Sequence, residues 1–173
     1  IDNKLITVQS GITWEKIQNH INAHKLSIKA MQSSNCFTVG GSISANIHGR
    51  DIHNSLIIDS VESFRLLMSS GKIINVSRDE NLELFRLVIG GYGLFGVIMD
   101  VTVSLCENSI LQKKVDIINY KKFPEFFNVN ILNNSNSELF MAWPSIAPSS
   151  YLSEIVVTTW EKSNNQILDD RLL

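Results

Sequence analysis

The mostly apolar run Leu5-Ile6-Thr7-Val8, closed by the polar Gln9, predicts a short strand over residues 5 to 9. Ser10-Gly11 turns the chain, and Thr13 stands where a helix cap belongs. Trp14, Ile17 and Ile21 then recur at three- and four-residue spacing, so a helix with one core-facing stripe is expected from about Trp14 to about His24. Ser33-Ser34-Asn35 breaks that pattern, and Thr38-Val39-Gly40-Gly41-Ser42 leads into small residues, Ser42 to Ala45, suited to one or two helical turns. Loose alternation from Ile57 to about Leu67, the turn Ser69-Ser70-Gly71-Lys72 and an apolar return from Ile73 to Val76 predict a β-hairpin. Asp79 is the expected cap of a helix carrying Leu82, Phe85, Val88 and Ile89, which Gly90-Gly91 ends. Alternation from Val97 to Leu105 predicts a half-buried strand.

The texture changes after Glu107-Asn108. A strand at Val115 to Ile118, a helix near Phe123 to Leu132 with Pro124 in its first turn, and an Asn/Ser loop at Asn133 to Ser137 are followed by strands at Glu138 to Trp143 and Glu154 to Trp160. The expected class is α+β, an antiparallel or mixed sheet with flanking helices, in two parts: residues 1–108 and residues 109–173. An opening isoleucine followed almost at once by a strand predicts that the chain is a piece of a longer protein.

Composition narrows the function classes. With 44% hydrophobic and 18% charged residues over 173 positions, the chain can bury a sizeable core. Fifteen basic against seventeen acidic side chains give a formal charge of −2, so nucleic acid is not an expected partner. Cys36 and Cys106 form neither a zinc motif nor a disulfide framework, and no apolar run is long enough to span a bilayer. A soluble, cytoplasmic protein is expected, with a periplasmic face or peripheral membrane association as alternatives. His20 and His24 share a helix face, yet no carboxylate or cysteine completes a metal set; Asp79-Glu80 and Asp169-Asp170 read as surface or helix-terminal charges. His53 is a loop residue close enough in sequence to Arg50 to touch a substrate.

Gly91-Tyr92-Gly93-Leu94-Phe95-Gly96 matches the G-x-G-x-x-G pattern of dinucleotide-binding folds, with Asp116 some twenty residues on. That fingerprint needs a strand entering and a helix leaving the glycines. Here a helix enters and a strand leaves, so the glycines are expected to end a helix and allow close backbone approach.

The segment Thr38 to Arg50 carries the chemistry. It is glycine-rich, slim and nearly uncharged, and it ends in His48-Gly49-Arg50. Such a run can lie along a planar or phosphorylated cofactor. Read from composition alone, Gly40-Gly41 is a turn and His48 a satisfied polar residue beside a core.

The resemblance overturns that reading. Val39-Gly40-Gly41-Ser42-Ile43-Ser44 with the following His48-Gly49 resembles the second FAD-binding stretch of the vanillyl-alcohol oxidase/p-cresol methylhydroxylase superfamily. The order of features agrees too: Val8 to Trp14 before it, a Ser-Gly-Lys hairpin after it, then Glu83-Leu84-Phe85 and Gly90 to Ile98. Within the superfamily, the chain resembles the flavin subunits of decaprenylphosphoryl-ribose oxidases, over roughly residues 2 to 106 and more thinly toward Trp143 to Pro148. Related sugar-alcohol and aldonolactone oxidases share the His-Gly pair, usually with Thr where this chain has Ile47.

The resemblance implies that residues 1–108 are the second subdomain of an FAD-binding domain and that residues 109–173 open a substrate domain. Ser33, Thr38, Val39, Gly40 and Gly41 would approach the FAD phosphates and ribityl chain, largely by main chain. Ala45, Asn46, Ile47 and His48 would lie along the ribityl and ring region, and Ile98 would meet the adenine end through its backbone. His48, Gly49 and Arg50 would wall a substrate pocket. Ser33 stands where the relatives have glycine, and Arg50 where they have lysine. The implied activity is oxidation of a secondary alcohol of a sugar or polyprenyl-phosphate sugar by hydride transfer to flavin, with a partner reductase or epimerase. An aldonolactone or alditol oxidase, or a non-catalytic module on the same scaffold, is the alternative. No residue of this chain is identified as the catalytic base. The other pyrophosphate loop is expected in a first subdomain outside these residues, so this piece alone is expected to hold FAD weakly.

Overall fold

The computed structural model describes residue 1, residues 3–53 and residues 56–163. The chain falls into two compact units: Ile1–Gly49 with the return segment ending at Asn108, and Arg50–His53 with the chain from Ser109 on.

The first unit contains β1 (Leu5–Gln9), α1 (Trp14–Asn22), β2 (Leu26–Ile28), α2 (Val39–Ser44), β3 (Val61–Leu67), β4 (Ile73–Ser77), α3 (Leu82–Val88) and β5 (Val97–Glu107). Its sheet runs β1-β5-β3-β4 with β2 also on β5, and every pairing is antiparallel. One sheet face is apolar: Phe64, Leu66, Val76, Val101 and Val103 share a core with Trp14, Ile17 and Ile21 of α1, Val39 and Ile43 of α2, and Phe85 and Val88 of α3. Burying each large side chain contributes about 1.5–3 kcal/mol. The other face is polar, with Thr7 and Thr102 hydroxyls bonded at 2.8 Å and the Arg65–Asp100 ion pair beside them. The period-two pattern thus has its ordinary cause, a sheet covered on one side.

The second unit contains β6 (Leu111–Asn119), α4 (Phe123–Phe127), β7 (Ser137–Pro144) and β8 (Glu154–Lys162), in sheet order β6-β8-β7 and antiparallel throughout. α4 continues into a π-helical turn, Asn128–Leu132, that buries Ile131. Phe123 and Phe127 meet Phe140 of β7 with ring centroids 6.2 and 5.3 Å away. Residues 50–53 run beside β7: Phe140 N donates to Arg50 O at 2.9 Å, Ile52 N to Glu138 O at 3.2 Å, and Asp51 bridges Leu139.

Several elements differ from the sequence expectation. α1 stops at Asn22 because His24 N and Lys25 N turn back to Ile21 O and Asn22 O, and Lys25 adopts φ +56°. α3 is capped by Asn81 in the left-handed conformation instead of by Asp79; the Ser77 hydroxyl accepts from Asp79 N and Glu80 N and absorbs that turn. Ile57–Asp59 form a 3₁₀ turn, so the hairpin begins at Val61. β2 is three residues long, too short to leave a period. Alternation in β5 is broken where Arg65 faces Asp100 but Leu66 faces Ile98, leaving Met99 as the extra residue of a bulge. Among the described residues no helix is long and apolar enough to cross a membrane.

Candidate functional site

α2 is seated by its own small residues. Thr38 caps it, its Oγ1 accepting from Gly41 N at 3.3 Å. Gly40 has to be glycine for packing: a Cβ there would lie 2.8 Å from Ser10 Cβ and 3.1 Å from Ser10 O. Below the helix, the Trp14 indole N–H donates to Ser42 Oγ at 2.8 Å, and the Ser42 hydroxyl donates to Gln32 Oε1 at 2.8 Å or Thr38 O at 2.9 Å. Ser42 is fully buried, so these bonds satisfy groups that water does not reach. Sequence reading missed this network, although a tryptophan and a serine on adjacent core elements are the signal that could have found it.

The main-chain donors of this stretch are mostly used within the fold. Val39 N donates to Ile12 O at 2.9 Å, Gly40 N to Ser10 O at 2.8 Å and Ser42 N to Thr38 O at 3.0 Å. What Thr38 to Gly41 present outward is therefore a slim surface: Thr38 and Gly41 are exposed, Gly40 is half-buried and Val39 lies in the core. Ser33 belongs to an exposed loop running from 33 to 38. Past α2, Ala45 is the half-buried C-cap, and Asn46 takes φ +45° with its Oδ1 accepting from Ile58 N at 3.3 Å. Ile47 is half-buried against the core, while His48 is exposed with Nδ1 3.0 Å from Gly49 O. Gly49 leaves no room for a side chain, since a Cβ would come within 2.7 Å of Met31 O.

The glycine turn after α3 docks on the same helix. Gly90 N donates to Ile43 O and Tyr92 N to Ser44 O, each at 3.0 Å, which sets Tyr92 and Leu94, 78% and 83% exposed, next to the far end of α2. A helix enters this turn and a strand leaves it, as the rejection of the dinucleotide fingerprint requires. Gly90, Gly93 and Gly96 hold φ of +82°, +80° and +143°, conformations that explain the glycines without a phosphate. Ile98 has its side chain in the core and its backbone in β5 opposite Leu66.

Arg50 falls in the second unit, whereas His48 and Gly49 belong to the first, so the three residues expected to wall one pocket are divided between the units. The Arg50 guanidinium carbon lies 5.4 Å from the centroid of the Trp160 ring. His53 Nε2 is 2.9 Å from Ser137 O and ties the same segment to β7. His20 and His24 sit with ring centroids 5.7 Å apart, and no group of three metal-ligating side chains occurs among the described residues. Cys36 is exposed, and Cys106 Sγ is 3.6 Å from Ser27 O.

These residues fit FAD along its uncharged part. From Phe37 to Gly49 there is no Asp, Glu, Lys or Arg, the surface is narrow at Gly41, and Tyr92 and Leu94 border it with apolar area. A neutral planar ring suits such a surface, because no charge has to be desolvated to cover it. The diphosphate finds no counter-charge on this stretch.

Residues 1–77 match the family described as FAD binding domain. D-Arabinono-1,4-lactone oxidase of Candida albicans is 26% identical over 167 residues, 96% of this chain and 28% of that protein. Cytokinin dehydrogenase 5 of Arabidopsis thaliana is 31% identical over 60% of this chain and 19% of its own length. Decaprenylphosphoryl-beta-D-ribose oxidase of Mycolicibacterium smegmatis is 27% identical over 59% of this chain and 23% of its own length. The matched part thus spans 28% of the Candida relative and less of the other two. The family match thus covers the slim ribbon from Thr38 to His48, and the similarity to these two oxidases and the dehydrogenase is consistent with the vanillyl-alcohol oxidase/p-cresol methylhydroxylase superfamily.

Proposed function

We propose that the full-length protein is an FAD-dependent oxidoreductase that oxidises a secondary alcohol of a sugar or a polyprenyl-phosphate sugar to a keto group. The observation that carries this reading is the uncharged, narrow surface from Thr38 to His48, which lies inside the FAD-binding-domain match. Flavin, when bound, supplies the hydride acceptor. The chain's own share is placement. Ser33, Thr38 and Gly41 would flank the phosphate and ribityl part, with Val39 and Gly40 seating α2 beneath them; Ala45, Asn46, Ile47 and His48 would follow toward the ring, and Ile98 would serve the adenine end. His48 and Gly49 would bound the substrate on one side, and Arg50 would offer its planar fork to a substrate anion. On this reading residues 1–108 are the second subdomain of the FAD-binding domain, and the unit from Ser109 on begins the substrate domain.

The extent of similarity to the Candida lactone oxidase, 96% of this chain, favours a second reading, oxidation of an aldonolactone or alditol. One preparation tests both. The full-length protein as purified is expected to show flavin absorption bands, which anaerobic addition of substrate bleaches. Bleaching by polyprenyl-phosphate sugars supports the first reading, and bleaching by free aldonolactones supports the second. A colourless protein that takes up no added FAD refutes both.

A further inference from the structure

We infer that Trp160 is a positioning residue for Arg50 and that the group recognised there is a substrate oxyanion, a phosphate or a carboxylate. This rests on the placement of Arg50 on the substrate side proposed above. Arg50 is half-buried, its Nε is buried, and that nitrogen has no hydrogen-bond partner among the described residues. The ion pairs among the described residues use other cations: Lys4, Arg65, Lys114 and Lys162. A charged donor withdrawn from water without an acceptor is destabilising, and its persistence calls for an acceptor outside the described fold.

The surroundings hold the side chain without consuming its hydrogen bonds. Arg50 O is fixed by Phe140 N at 2.9 Å, and Asp51 bridges Leu139, which faces Trp160 across β7 and β8. The Trp160 ring, 5.4 Å from the guanidinium carbon, attracts the cation through its π face. That contact has no claim on the Nη donors, which match the two oxygens of a carboxylate or phosphate. Lysine could supply the charge but not the fork.

The test is calorimetric titration of the full-length protein with D-arabinose 5-phosphate and with D-arabinose. Arg50→Lys is expected to weaken the sugar phosphate about tenfold, a loss of about 1.4 kcal/mol, and to leave the free sugar unchanged. Trp160→Leu is expected to do the same, Trp160→Phe to retain most of the affinity, and the Arg50→Lys/Trp160→Leu pair to be no weaker than Arg50→Lys alone. Parallel loss for sugar and sugar phosphate would make Trp160 merely structural. Unchanged affinity with a lowered thermal midpoint in Arg50→Ala would assign Arg50 to an internal carboxylate. Either result overturns the inference. Binding is read without turnover, so absent flavin bands in the same preparation would count against the oxidoreductase reading alone.

Discussion

Replacing Ser42 by alanine removes one hydroxyl and tests whether the buried network beneath α2 holds the ribbon in place. That hydroxyl accepts from the Trp14 indole at 2.8 Å and has a single proton to share between Gln32 Oε1 and Thr38 O. Alanine leaves the indole with only its longer contact to Gln32 Oε1, at 3.2 Å, while Thr38 O keeps its bond from Ser42 N at 3.0 Å. Two hydrogen bonds are lost, one accepted and one donated by the hydroxyl, each with a net contribution of about 0.5–1.5 kcal/mol, so a destabilisation of about 2 kcal/mol is expected. Trp14→Phe removes the other end of the same bond. The double variant should therefore be more stable than the two losses summed, by about 1 kcal/mol. Urea unfolding of wild type, the single variants and the double variant measures this cycle. The dissociation constant for FAD should rise in Ser42→Ala, because Gly41 and the turn to His48 ride on the helix that loosens. If Ser42→Ala stays within about 0.5 kcal/mol of wild type, the network is not what seats the helix, and the reasoning fails.

Gly91→Ala places a Cβ 2.2 Å from Leu87 O and 2.9 Å from the Phe95 ring, whereas a Cβ at Gly11 meets nothing within 4 Å. Thermal melts should show Gly91→Ala severely destabilised, by more than about 3 kcal/mol, and Gly11→Ala within about 0.5 kcal/mol of wild type; near-equal melting points would contradict the close approach at Gly91. A second expectation concerns acid. Hydrogen bonds from Arg65 hold the Asp100 carboxyl below the usual carboxylate range, and Lys4 does the same for Glu107. A lowered folded-state pKa gives stability that is present above the unfolded value, about 4, and lost as pH falls through the folded one. Urea midpoints below about pH 4 should fall more steeply in wild type than in Asp100→Asn, and superimposable profiles would remove the Arg65 pair from the acid response.

Periodicity was enough for the long elements, and motif was enough to point to the FAD-binding likeness that residues 1–77 match. Trp14, Ile17 and Ile21 announce α1, and the alternation about Val101 and Val103 announces β5, because each signal lies in residues adjacent along the chain. The short β2, the left-handed cap at Asn81 and the bulge at Met99 were not legible, since a partner strand or a competing side chain decides them. The same holds at the site. Sequence reading set Gly40 beside a ligand, and the structure shows it also packed against Ser10; sequence reading placed Arg50 in the wall of a substrate pocket, and the structure sets its guanidinium beside Trp160, more than a hundred residues away. Local pattern records what each segment can bury, whereas which donors remain free and which ring meets which cation depends on contacts between distant segments that form only when the chain is folded.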